Sequence, residues 1–371
     1  MDPNYTTIDP HGDMLLVVEK GGERIYTRLS QFNGKHQSSR SIPNYFQGIV
    51  ETVSKFPRRS SAPSAPQREL IRPIQGLQVQ ANSNRDSQTR TVQAKLRVSS
   101  KHLAFASRFF KRKLDSEDKL KEDDILPARF DHLTAMSLLL HAIHGRGQQI
   151  PRRIGPNTLC MIAALTEVWE CENAMTLFSE TWIMNIHDEI PKVYDNDVVM
   201  WIYIAWAFHH RTLFWYITRL AIRGSTGMIQ ELGLPIPKKL LEQIDEIRQK
   251  HVDTITNSLY QRLESVLDQG GCCRACDAMV VGQWMLEMKP KDLFPPPCAP
   301  YEGWSVDRLL QTLSEVAEPQ CTRLFHASMG CSVQPCALMP ETSQLCKQAD
   351  VEATGLNFDD CVFKLTGVKP G

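Results

Sequence analysis

The segment Val92–Leu114 constrains the fold most, because two different periodicities follow each other there without a linker. Its first seven residues alternate between apolar and polar, which is the period of a half-buried strand. From Leu103 onward apolar residues recur every three to four positions, as in an amphipathic helix whose first turn Ser99 or Ser100 can cap. We therefore predict a mixed α+β domain with one short helix here. The residues predicted to face inward are Leu103, Ala106, Phe109, Phe110 and Leu114.

A second strand is predicted near the start of the chain. A Pro-His-Gly-Asp turn after Ile8 leads into the apolar run Met-Leu-Leu-Val-Val, which is typical of a buried strand. From about Tyr26 to Thr91, Ser, Gln, Arg, Pro and Asn dominate. Such a stretch cannot bury enough apolar area to offset an ordering cost of roughly 1–2 kcal/mol per residue. We predict that about 27–91 is a disordered insertion.

After a short edge strand in Asp-Ile-Leu-Pro-Ala-Arg-Phe, the pattern is helical nearly to the end of the chain. Gly145 stands where a helix would end with a glycine cap. Val198–Ile222 is the most apolar helical segment, but His209-His210-Arg211 interrupts it. Because a membrane span needs about 18 apolar residues in a row, these polar residues indicate a break between two buried helical halves. The segment Pro235–Leu267 predicts one long amphipathic helix.

Four segments, in this order, resemble the BTB/POZ family. They are "IDPHGDMLLVV", "LRVSSKHLAFASRFFKRKL", "ILPARFDHLTAMSLLLHAIHGRGQQIP" and "LCMIAALTEVWECENAMTLFSETW". In the second segment, Leu103, Ser107 and Phe110 match the family's Leu-x-x-x-Ser-x-x-Phe pattern. The third ends in His144-Gly145 where many members have Tyr-x-Gly. The remainder, with its Cys/His-rich tail, is similar to BTB proteins of filamentous fungi, a likeness that conveys fold more than function.

The resemblance implies an α+β BTB/POZ-like domain over residues 1–190, a small sheet with a helix cluster, followed by an all-α region over 191–371 with a Cys-rich tail. It also implies a non-catalytic protein–protein interaction module or adaptor that forms a homodimer, presents a partner, or does both. Many members recruit a cullin-type ubiquitin-ligase scaffold. We find no apolar-x-Glu signature of cullin contact, and the insertion separates two strands that usually form a hairpin, so both features argue against that partner.

The cysteines suggest an alternative, because nine of the eleven lie beyond Gly270. Cys273 and Cys276 form a Cys-x2-Cys pair, which is the usual first half of a structural zinc site. About 45 residues separate this pair from Cys321, where the second half of the site would begin, which is more than compact zinc modules use, so we favour reduced, mostly buried thiols. The alternative function is a zinc-stabilised regulatory protein linked to nucleic acid or transcription. The second half of such a site would come from Cys321, His326, Cys331 and Cys336.

Charge and motif content narrow the function further. Lys and Arg together equal Asp and Glu, at 42 each, so no global field draws the chain to nucleic acid or to an acidic membrane. The basic run Phe-Phe-Lys-Arg-Lys favours a solvated helix end. Nucleotide-binding glycine loops and hydrolase motifs do not occur, so we assign no catalytic, cofactor-binding or metal-binding residue and predict no enzyme. The start lacks a secretory pattern, and we expect a cytoplasmic or nuclear location.

Overall fold

The computed structural model describes residues 5–21, 24–31, 92–115, 125–127, 133–270, 273–316 and 353–367. These residues form two compact units. The first contains the described residues up to Ile190, together with 199–210 and 232–235, and the second contains the rest. The chain therefore returns twice to the first unit beyond the boundary at residue 190. The class is α+β, because the described strands lie in the first unit and the described part of the second is helical.

The first unit contains a mixed sheet with the strand order β1-β4-β2-β3-β5. β1 runs parallel to β4, whereas the other neighbours pair antiparallel. The predicted strands at Met14 and Val92 are confirmed, and alternate side chains in them are buried, namely Met14, Leu16, Ala94, Leu96 and Val98. The strands are β1 (Tyr5–Thr7), β2 (Met14–Gly21), β3 (Arg24–Gln31), β4 (Val92–Val98) and β5 (Ile125–Pro127).

The predicted start of the disordered insertion, at about residue 27, is wrong, because strand β3 extends to Gln31. β3 pairs with β2 along its whole length, from Arg24 opposite Gly21 to Gln31 opposite Met14. Its other edge pairs with β5, which is the predicted edge strand. Backbone hydrogen bonds on both edges thus satisfy the first residues of a stretch whose composition as a whole predicts no strand. Residues 32–91 of the predicted insertion lie outside the described residues.

Six α-helices of the described chain belong to the first unit with the sheet. The last of them begins with residues 197–198, which belong to the second unit. Gly145 has a φ of +65° just after the third helix, so the predicted glycine cap is confirmed. The helices are α1 (Ser100–Ala106), α2 (Arg108–Asp115), α3 (Leu133–Ile143), α4 (Pro156–Val168), α5 (Glu172–Asn185) and α6 (Asp197–Ala207).

The prediction of a single helix after β4 is wrong, because Ser107 separates α1 from α2. The backbone of Ser107 is extended, with φ −130° and ψ 122°. Its hydroxyl donates a hydrogen bond to the Trp169 carbonyl and accepts one from the Phe110 N–H at 3.0 Å. Serine side chains that bond to nearby backbone groups compete with helix hydrogen bonds and cap new helices. Ser107 therefore ends one helix and begins the next.

The core of the first unit forms where α2 meets the end of α4. Phe110 and Trp169 are fully buried, and their rings meet edge to face with centroids 5.2 Å apart. Leu103 on α1 is also fully buried, whereas Ala106, Phe109 and Leu114 are only half-buried. Trp169 and Trp182 are both fully buried, whereas Phe178 is half-buried.

Glu167→Gln is expected to stabilise the first unit at neutral pH but not in acid. Burial raises the pKa of Glu167, and the hydrogen bond from Tyr203 at 2.7 Å opposes that rise. The folded state therefore holds this proton more tightly, so the wild-type protein loses stability as pH rises from the unfolded pKa, about 4.3, through the raised folded pKa. Glutamine keeps an acceptor for Tyr203 without ionising.

Thermal unfolding at a series of pH values will check this expectation, with Glu180→Gln on the exposed face of α5 as the control. The stability gained by Glu167→Gln should grow with pH across that window. A gain of the same size at every pH would contradict the assignment of this effect to ionisation of Glu167.

The described part of the second unit contains five α-helices, and three of them share an apolar cluster. The predicted long helix is confirmed as α8, and its residues Val252, Ile255 and Leu259 pack with Trp284 of α9 and Leu309 of α10. The helices are α7 (Arg211–Gly224), α8 (Lys238–Gln269), α9 (Arg274–Met288), α10 (Val306–Ser314) and α11 (Phe358–Thr366).

A buried arginine on α8 forms hydrogen bonds with the loop before α10. The Arg248 side chain has no exposed surface, and its Nε lies 2.8 Å from Oδ1 of Asp245. Its two terminal nitrogens donate to the carbonyls of Pro300, Tyr301 and Trp304 at 2.9, 3.1 and 2.8 Å. The guanidinium thus satisfies three loop carbonyls and one carboxylate inside the unit.

The predicted break at His209 is confirmed. α6 ends at Ala207, α7 begins at Arg211, and His209 between them has a φ of +54°. The His210 N–H donates to the Ala205 carbonyl at 2.9 Å, which closes the end of α6. No helix among the described residues is both long enough and apolar enough to cross a membrane.

Candidate functional site

A five-residue turn, Asp9–Asp13, connects β1 to β2 and lies against the end of β4. The N–H groups of Ile8 and Asp9 both donate to the Arg97 carbonyl at 3.0 Å, and Nε of Arg97 donates to the Gly12 carbonyl at 2.8 Å. Within the turn, Oδ1 of Asp9 accepts the His11 N–H at 3.0 Å, a local bond typical of aspartate in turns. The side chain of Asp9 is therefore held by the backbone of its own turn.

Gly12 is required by this close approach. A Cβ atom at Gly12 would lie 2.5 Å from the carbonyl oxygen of Val98, well inside van der Waals contact. The Pro-His-Gly-Asp signal in the sequence therefore has a packing reason in addition to its turn propensity.

The same turn caps helix α1. Asp13 accepts hydrogen bonds from the Ser100 N–H at 2.8 Å and from its hydroxyl at 2.6 Å. Burial acts to raise the pKa of Asp13, but the Ser100 hydrogen bonds outweigh it, and the net pKa is lowered. The prediction that Ser99 or Ser100 caps the helix is confirmed, since Ser99 is the cap residue and its hydroxyl accepts the His102 N–H at 3.5 Å.

His144, just beyond α3, completes the contact between these segments. Its Nδ1 lies 2.8 Å from the Leu140 carbonyl, which can only accept, so Nδ1 carries the proton. Its Nε2 then accepts the Ser99 N–H at 2.9 Å. The side chain is buried, and burial is the main reason that the pKa of His144 is lowered. His144 is therefore neutral near pH 7, with both ring nitrogens engaged.

Asp9, His102 and His144 form what we call the Asp-His cluster. One ligand-type atom from each lies within 4.8 Å of the other two. Nδ1 of His102 is 3.9 Å from Oδ2 of Asp9, and the two imidazole rings are 5.1 Å apart. Arg146 approaches the other carboxylate oxygen, Oδ1, at 3.5 Å. The pKa of Asp9 is lowered, and the hydrogen bond from the His11 N–H is the largest cause. The cluster therefore presents one carboxylate beside two imidazoles.

Sequence reasoning did not find this cluster. Asp9 belongs to a predicted turn, and His144 stands at a predicted helix end. In the sequence, Asp9 and His102 are 93 residues apart, and His102 and His144 are 42 residues apart. Imidazole and carboxylate groups at such distances carry no spacing signal, because the fold alone brings them together. The cluster differs from the zinc hypothesis for the tail in both place and chemistry.

The predicted cysteine site lies only partly within the described residues. Cys273 precedes α9 and is partly exposed, whereas Cys276 is buried within it. The other proposed ligands, Cys321, His326, Cys331 and Cys336, lie outside the described residues, so the zinc alternative and its link to nucleic acid stay predictions. Burial raises the pKa of Cys171 to about 12 and that of Cys361 to about 11, as expected for inert thiols.

Two other polar features have local roles. Arg211, after the double histidine, pairs with Asp359 of α11, with Nε 3.0 Å from both carboxylate oxygens. In the basic run of α2, Lys111 and Arg112 are exposed, as predicted for a solvated helix end, and Arg112 also donates to Glu170 at 2.8 Å. The pairs are largely exposed and contribute little to stability.

Comparison with protein-family models, with curated proteins and with solved structures finds no match to this chain. The BTB/POZ resemblance thus depends on the residues quoted for it.

Proposed function

We propose that the first unit is a BTB/POZ-like module and that the protein is a non-catalytic interaction protein or adaptor that self-associates, presents a partner, or does both. The order of the elements is the observation that carries this proposal. β2 and β4 are antiparallel neighbours, α1 and α2 follow β4, and β5 with α3 precedes the pair α4–α5. The four family-like segments supply these elements in the order that the resemblance implies.

The packing of the second segment supports the same proposal. Leu103 and Phe110, the two apolar positions of the Leu-x-x-x-Ser-x-x-Phe pattern, are both fully buried. Ser107 between them divides the helix and binds the Trp169 carbonyl. Each of the three residues therefore has a structural role.

The surface of α1 offers an apolar contact for self-association. Among the exposed large apolar side chains of the first unit, Phe105 is 92% exposed, ahead of Leu177 at 71% and Met184 at 69%. Pairing of α1 with a second copy of the chain would remove this ring from water. Recruitment of a cullin-type scaffold is not part of the proposal, because the sequence lacks the apolar-x-Glu signature.

Sedimentation of the full-length chain over a wide concentration range tests self-association. We expect the mass of two chains at high concentration, and dissociation when Phe105→Arg places a charge on α1. Val193→Arg is the matched control, since Val193 is 66% exposed but lies in the second unit. A wild-type protein with the mass of one chain at every concentration would contradict the homodimer.

A further inference from the structure

We propose that the Asp-His cluster is a binding site for a divalent transition-metal ion of the zinc type. The site is independent of the interaction function proposed above and of the cysteine-rich tail. Its donors come from three segments that the fold brings together, namely Asp9 in the first turn, His102 on α1 and His144 after α3. Two imidazole nitrogens and one carboxylate oxygen suit zinc or nickel better than magnesium or calcium, which prefer oxygen ligands.

Two of the three ligands are already oriented. The Leu140 carbonyl accepts the Nδ1–H of His144, which leaves the Nε2 lone pair as the donor, and backbone carbonyls orient metal-binding histidines in the same way. The His11 N–H and Arg146 engage Oδ1 of Asp9 and leave Oδ2 on the side of His102. An ion at Oδ2 would therefore displace neither of these partners.

The third ligand, His102, is the one that must move for the site to bind an ion. Zinc bonds of about 2.0–2.1 Å place tetrahedral ligand atoms roughly 3.4 Å apart. Nδ1 of His102 and Oδ2 of Asp9 are farther apart than this, at 3.9 Å, and the His102 side chain is 52% exposed. Rotation of this side chain toward the buried His144 closes the site, and water takes the remaining position.

Metal binding competes with one hydrogen bond of the fold. The Ser99 N–H donates to Nε2 of His144 at 2.9 Å, and an ion would use the same lone pair. Ser99 is half-buried at the start of α1, so water can replace histidine as the acceptor. Occupancy by a metal ion therefore releases the Ser99 N–H from His144, and this gives the site a readout besides binding itself.

Cobalt titration of the full-length, metal-free protein under reducing conditions tests the site. Co²⁺ takes zinc ligands and reports them by its spectrum, since thiolates add a strong near-ultraviolet band that imidazole and carboxylate do not. We expect one Co²⁺ per chain that Zn²⁺ displaces, with visible bands and without the thiolate band. No binding, or a thiolate spectrum alone, would overturn the proposal.

Substitution of the proposed ligands tests which residues bind the ion. His102→Ala and Asp9→Asn should each weaken Co²⁺ binding by at least about tenfold. His187→Ala is the matched control, because His187 is exposed and its Nδ1 contacts the Met184 carbonyl in its own segment. Circular dichroism verifies that each variant is folded. Equal affinity in all three variants would place the ion elsewhere and overturn the proposal.

Amide exchange tests the competition for His144. Peptides that contain Ser99 should exchange faster in the presence of Zn²⁺ than in its absence, whereas those from the middle of α8 should not change. Unchanged exchange at Ser99 with an ion bound would exclude Nε2 of His144 as a ligand.

Discussion

Phe110→Ala is expected to lower the free energy of unfolding of the first unit by about 3–5 kcal/mol. The ring is fully buried against Trp169, so its removal loses apolar burial and leaves a cavity between α2 and the end of α4. Urea unfolding, followed by tryptophan fluorescence and circular dichroism, measures the loss as a shift in the transition of this unit.

Phe105→Ala provides a control of the same residue type only five positions away. Its ring is 92% exposed, and we expect a change within about 0.5 kcal/mol. The comparison should be made at a protein concentration too low for self-association, because association would couple Phe105 to stability. Equal losses in the two variants would mean that Phe110 does not form part of the core.

Arg248→Ala is expected to destabilise the second unit by about 3–5 kcal/mol, because it removes one partner of a buried ion pair. Asp245 would keep only the bond from Gln249 at 2.6 Å, and three loop carbonyls would lose their donor. The same unfolding experiment, read in the transition of the second unit, measures this loss.

Two further substitutions on α8 serve as comparisons for Arg248→Ala. Lys250→Ala removes an exposed cation from the same helix and should have little effect. Arg248→Lys keeps the charge but lacks the planar fork that serves several acceptors, so its loss should be intermediate. A lysine variant as stable as the wild type would show that charge alone accounts for the effect.

Much of the fold could be predicted because its signals are local. The alternation in Val92–Val98, the glycine after α3 and the long apolar face of α8 each depend on residues close in sequence. The break at Ser107 could not be predicted in this way. Its hydroxyl binds the Trp169 carbonyl, 62 residues away, and only tertiary packing brings that acceptor near.

Strand β3 and the Asp-His cluster show the same limit. β3 lies at the start of a long stretch whose composition as a whole favours no strand, and its pairing with β2 and β5 sets it apart from that stretch. The Asp-His cluster joins a turn, a helix and a helix end that lie 93 and 42 residues apart in the sequence. The tail cysteines, in contrast, have the spacing signal of a metal site, yet Cys276 is buried within α9.

The close approach of Gly12 to Val98 links the architecture of the first unit to its chemistry. The oxygen that excludes a Cβ at Gly12 belongs to the last residue of β4, and the same turn carries Asp9. A single methyl group added at this position would lift the turn from the strand and carry the carboxylate away from both imidazoles. Ligand geometry could thus be altered in a protein that retains every donor atom.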